Sequence, residues 1–246
     1  MGSDSISART LRAASAADSR RAAGRPGSRR GFVGFVLTTL AFFVTPALLA
    51  QSAAQAPVPA RGTIKYFIAP GDPAQAYRDG DPELARWALG AWQRAAVGAF
   101  ELVEVERAQD AAIRIVFAGA RGGTFGVMSP SRSADGTASA TVMVYPDTEA
   151  FGAEIAERAR TDPLYRDTIV YLTCVHEIGH ALGLVHTAEF ADIMYWFGYG
   201  GDIPAFFGRY RARLRTRADI ARTSGLSPGD IEQLRATDST LPSGPD

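Results

Sequence analysis

Alternating apolar and polar positions mark the strands of this chain. Residues 62–69, GTIKYFIA, are rich in β-branched and aromatic side chains and stop at Pro70 and Gly71, which predicts a first strand. The alternation in ELVEVE and AIRIVFA predicts two more, over residues 100–105 and 112–118, in a sheet covered on one face. A short apolar run, TFGVM at residues 124–128, follows a glycine-rich turn. TVMVYP at 141–146 is a further strand candidate, separated from it by a polar loop at 129–139. Between the strands the period changes to that of a helix. Asp81 as cap and Pro82 at the first helical position open one in which Leu84, Trp87, Ala88, Ala91, Trp92 and Ala95 form a buried stripe. Residues 147–160 predict a short second helix, and Asp162 with Pro163 cap a third. In that third helix Ile169, Leu172, Cys174, Val175, Ile178 and Leu182 leave little polar surface, so it should lie buried beneath the sheet. The expected class is therefore α/β (α+β): a small twisted mixed sheet, a backing helix, a buried helix, then a loop-rich lower part, with a cleft between the two.

The apolar fraction of 46% supports a sizeable core, and the length suits one domain, residues 57–246, behind an N-terminal extension, residues 1–56. Formal charge balances at zero, but residues 1–30 hold seven Arg against two Asp. Subtracting these from the totals of 26 and 26 leaves 19 positive and 24 negative charges in residues 31–246. A mildly acidic body gives no reason to expect a nucleic-acid partner. Residues 1–30 have no apolar periodicity. The apolar run 31–50 then leads into small residues, the pattern of a secretory signal cut between residues 50 and 56. SRRGFV at 28–33 is similar to a twin-arginine export motif. The expected address is periplasmic or extracellular, with no stable membrane span in the mature chain. The competing reading is a retained anchor, since 20 apolar residues can span a bilayer; Pro46 and the small-residue exit speak against it. Cys174 is the only cysteine, which rules out an intrachain disulfide and reads as a packed core thiol.

The chemistry lies in HEIGHALGLVHTAEFADIM, residues 176–194, which contains all three histidines, His176, His180 and His186. The first two are four apart, so on a helix their rings project from one face and can grip one ion. Along a continuous helix His186 would lie roughly 15 Å from His176, too far to share a zinc with bonds of about 2.0–2.1 Å. The helix must therefore end between them, and Gly183 is placed to end it through a left-handed conformation. Three neutral imidazoles suit zinc and leave the fourth tetrahedral position open for water. Glu177 is placed to take a proton from that water without binding the metal.

With these residues in view the chain resembles the metzincin metallopeptidases. HEIGHALGLVH matches the HExxHxxGxxH motif, and Met194, eight residues beyond His186, is similar to the methionine turn. Within that group it most resembles the matrixins and their bacterial relatives, over residues 61–194 and again in LSPGDIEQL at 226–234, which is similar to the family's last helix. The resemblance implies a zincin fold and a secreted zinc endopeptidase acting, as a monomer, on protein or peptide substrates, with Met194 as the apolar floor of the metal site. It also places TFGVM as the antiparallel edge strand over the zinc. There Thr124, Phe125, Gly126, Val127 and Met128 would contact an extended substrate by strand addition. The alternatives are a zinc hydrolase of non-peptide amides or esters and an inactive zinc-stabilised binding module, against which Glu177 speaks. With every histidine used at one site, a single zinc is expected, and any further ion would be calcium on carboxylates and carbonyls. No cysteine precedes the active helix, so latency by a cysteine held on the zinc, known in animal matrixins, is not available. After Met194 the chain departs from the family pattern, with an aromatic stretch at 195–210 and five alternating arginines at 209–217. This stretch predicts a helical hairpin with a solvated basic face, or else a wall of the specificity pocket that includes Trp196.

Overall fold

The computed structural model describes residues 58–239 together with the backbone of a three-residue strand, Ser5–Ser7. The rest of the expected leader and export signal lies outside the described residues. Six strands form one mixed sheet: β1 (Ser5–Ser7), β2 (Gly62–Ile68), β3 (Phe100–Glu104), β4 (Ile113–Phe117), β5 (Thr124–Arg132) and β6 (Ala138–Val144), in the order β1-β5-β6-β4-β2-β3. The pairs β2–β3, β2–β4 and β4–β6 are parallel, whereas β5 is antiparallel to β6.

Two strands differ from the expected pattern. The polar loop expected at 129–139 shortens to 133–137, because β5 continues to Arg132 and β6 begins at Ala138, with Ser131 Oγ 2.7 Å from Ser139 Oγ. Cross-strand backbone bonds do not require apolar side chains, so the hairpin outlasts its hydrophobic part. Pro130 is exposed in this outer half. In β3 only Phe100 is buried, because the strand is the far edge of the sheet and has little laid over it.

Helix α1 (Asp81–Ala95) buries Leu84, Ala88 and Trp92 completely, and the Trp92 indole N–H donates to the Val175 carbonyl at 2.9 Å. Asp81 is not its cap. Gly80 takes that position, while Asp81 turns inward, 1% exposed, to meet Arg166, 2% exposed, in a two-point ion pair. The helix expected at 147–160 divides at Gly152, which has φ +103°, into a 3₁₀ turn (Thr148–Phe151) and α2 (Ala153–Thr161). Asp162 does cap α3 (Pro163–Ala181), accepting from the Leu164 and Tyr165 amides at 3.1 and 3.3 Å. Helix α3 packs against α1 on one side and against β5 and β6 on another. Almost every side chain from Tyr165 to Ala181 is buried in this layer. It includes Cys174, whose thiol pKa is pushed up by burial, in keeping with a core thiol.

Beyond Met194 come a 3₁₀ turn (Phe197–Tyr199), α4 (Ile203–Arg211) and α5 (Pro228–Ser239). Phe190, Tyr195, Phe197 and Phe206 form a cluster of edge-to-face rings with centroids 5.0–5.7 Å apart. The arginines are not a solvated face. Arg209 donates to the carbonyls of Phe190 and Ala191, and Arg211 pairs with the α3 cap Asp162. Arg217 reaches Asp167, Glu83 and the Gly80 carbonyl. Arg213 donates to the Ser224 carbonyl at 3.4 Å, so carboxylates and carbonyls face four of the five, and the segment straps the lower part of the molecule to the starts of α1 and α3. No helix among the described residues is long and apolar enough to cross a membrane.

Candidate metal centre

The last turn of α3 carries His176 and His180 on one face, and the chain then reverses. Gly183 has φ +95°, and the Leu184 amide bonds back to the Gly179 carbonyl at 2.9 Å, closing the helix and bringing His186 beneath it. The three Nε2 atoms lie 3.1, 3.2 and 3.3 Å from one another. Three ligands on a tetrahedral zinc with bonds of about 2.05 Å would stand about 3.3 Å apart, so the triangle has the size a zinc requires. The tautomers agree with this. His176 Nδ1 donates to the Ile193 carbonyl at 2.7 Å and His180 Nδ1 to the Leu184 carbonyl at 2.9 Å, which turns the Nε2 lone pairs of both toward the common centre. Burial, followed by the neighbouring His180 and His186, holds the His176 pKa well below the usual imidazole range. Among the described residues this is the only cluster of three or more such side chains placed to hold a metal, and calcium as a possible further ion has no support from it.

The floor beneath the rings is built by backbone geometry. Thr187 and Tyr195 form a parallel bridge, with the Thr187 amide bonded to the Met194 carbonyl at 2.9 Å. Met194 is fully buried, and a Cβ added at Gly179 would lie 2.6 Å from its sulfur, so a glycine there lets the methionine come up under the helix. Asp230, from the first turn of α5, accepts from the Ile193 and Met194 amides at 2.9 and 3.2 Å. Burial pushes its carboxyl pKa upward against the pull of these donors. LSPGDIEQL predicts only a helix, and the role of Asp230 is not evident from its resemblance. A signal was present in the Ser-x-x-Asp spacing, which forms a reciprocal cap: Ser227 N to Asp230 at 2.8 Å and Asp230 N to Ser227 Oγ at 3.0 Å. Asp192 accepts from Thr187 Oγ1 at 2.9 Å and Ser227 Oγ at 2.6 Å, joining the same layer.

Glu177 is buried beside the triad, and the sheet edge lies directly on it. A Cβ added at Gly126 would stand 2.8 Å from Glu177 Cγ and 2.7 Å from Thr173 Cγ2. The strand carrying the five expected contact residues therefore passes over Glu177 at Gly126, with its other side chains turned in different directions. Phe125 is fully buried against Phe151 and Phe207, with ring centroids 3.9 and 5.1 Å away, and Met128 is buried too. Their side chains belong to the core, while Thr124 and Val127 are partly open. Trp196 is 40% exposed and lies parallel to the His186 ring at 6.2 Å, with Tyr199, also exposed, edge-on to it at 5.1 Å.

The family model described as Matrixin matches residues 59–202, which takes in β2 through β6, α1 to α3, the three histidines and Met194. No curated protein is similar enough to count as a match.

Proposed function

The chain belongs to the matrixin family of metallopeptidases, and from that premise we propose that it is an exported zinc endopeptidase that cuts a peptide held in extended form along β5. The convergence of three Nε2 atoms within 3.3 Å of one another, beside the buried Glu177, is the observation that carries this reading. His176, His180 and His186 would hold the ion through Nε2. When bound, zinc supplies Lewis acidity toward a carbonyl oxygen and toward water.

The remaining steps belong to the protein. The main chain of β5 hydrogen-bonds the substrate backbone and sets the scissile carbonyl over Glu177. The Glu177 carboxylate takes a proton from the attacking water and returns it to the leaving nitrogen, and its burial keeps bulk water from competing for that proton. Met194 and Asp230 keep the ring of His176 in place through the Ile193 carbonyl. Export is supported by the basic leader, the apolar run and the small residues that follow it.

The purified protein should cleave a complex peptide mixture, lose that activity to a chelator, and contain one zinc per chain by elemental analysis. A protein with its zinc in place that cuts no peptide would overturn the reading. The exposed Trp196 and Tyr199 rings give a specificity test. An apolar residue should be preferred just after the cut bond, and Trp196→Ala should weaken that preference roughly tenfold. An unchanged cleavage profile would make the aromatic pair purely structural.

A further inference from the structure

The outer edge of β5 is already shown receiving an extended segment. Ser5–Ser7 lies on it antiparallel, Ser5 opposite Val127 and Ser7 opposite Thr124. A peptide laid in that direction runs from Val127 past Gly126, which stands over Glu177, and on past Thr124. The residues after the cut bond therefore leave the cleft across the start of β5. The distance from Gly126 to Thr124 is two strand positions, about 7 Å.

At that exit stands Arg121. Gly122 and Gly123, with φ +61° and +75°, fold the chain so that Arg121 bridges Thr124 across a two-residue turn, with the Thr124 amide bonded to the Arg121 carbonyl at 3.1 Å. Arg121 is exposed, whereas Tyr145 beside it is buried. Burial raises the Tyr145 phenol pKa, the Arg121 charge opposes the rise and the Glu177 charge adds to it. Arg158, Arg160, Arg166, Arg211 and Arg217 each face a carboxylate. Among the described residues Arg121 has no such partner.

We propose that Arg121 is a specificity residue that reads a carboxylate two or three residues beyond the scissile bond on the leaving-group side. The carboxylate is either an Asp or Glu side chain or the free C-terminus of a short peptide. A guanidinium offers two parallel donors to either, and the turn before β5 holds it where that part of the substrate passes. The proposal rests on the peptidase reading above and names a substrate feature for it.

The test uses the zinc-loaded protein and matched fluorogenic peptides. One C-terminally amidated pair differs only by Glu or Gln at the third residue after the cut, and a second pair is neutral and differs only in a free or amidated C-terminus. Wild type should favour the carboxylate member of at least one pair by roughly fivefold in kcat/KM, the size of an exposed ion pair. The pair that shows the preference identifies the source of the carboxylate. Arg121→Gln should bring the ratio to about one, Arg121→Glu should reverse it, and added salt should shrink it in the wild type. Equal rates within both wild-type pairs, or a preference that survives Arg121→Gln, would overturn the proposal. Cleavage of the neutral peptides with no carboxylate preference would remove Arg121 alone, whereas no cleavage of any peptide would remove the peptidase reading and this proposal with it.

Discussion

Glu177→Gln is expected to give a folded protein that still binds one zinc but hydrolyses peptides roughly a hundred- to ten-thousand-fold more slowly. The substitution keeps the size of a side chain packed against Gly126 and leaves all three imidazoles in place. It removes only the group that can accept a proton at that position. Metal content by elemental analysis and kcat on one peptide check the two halves of the expectation separately. Undiminished turnover in a zinc-loaded variant would show that the base lies elsewhere.

The second large effect is on stability. Asp81 and Arg166 meet in the interior, joining the start of α1 to α3, and Arg166 also donates to the Ala76 carbonyl at 2.9 Å. Asp81→Ala leaves the buried guanidinium with only Asp167, 3.5 Å away, as a carboxylate partner, a change that costs about 3 kcal/mol. Replacing both partners, as Asp81→Leu with Arg166→Met, removes both charges and should recover much of that loss. Urea unfolding midpoints of the two variants and the wild type provide the comparison. A loss below about 1 kcal/mol for Asp81→Ala would show the pair to be hydrated in solution.

The candidate metal site is legible in the sequence because its geometry is local. A spacing of four along one helix and a glycine that ends the helix before His186 are both encoded within eleven residues, and the structure realises both. The cap at Asp162 was legible for the same reason. At Asp81 the local rule gave way to a long-range one. Asp followed by Pro is a cap pattern, yet an arginine 85 positions away draws the carboxylate inward, and nothing in the spacing announces that partner. The arginines of residues 209–217 fail in the same way. Alternating charges suggest a solvated face only while the acids and carbonyls that meet them, such as Asp162, Asp167 and Glu83, are out of sight. The outer half of the β5–β6 hairpin was missed because it is held by backbone pairing among serines, without apolar alternation to mark it.

A strand edge open to an added segment is also a hazard for solubility, since it can receive the edge of another molecule. Here the two halves of β5 differ. The half beside Glu177, from Thr124 to Met128, has an N–H at every residue, whereas the outer half contains Pro130, which has none, and ends at the charged Arg132. A second copy of the chain trying to extend the sheet would lose its ladder after a few residues, too few to hold two molecules together. A substrate needs only the receptive half. The chain can thus keep a receptive strand edge beside Glu177 while Pro130 and Arg132 limit self-association along the full strand.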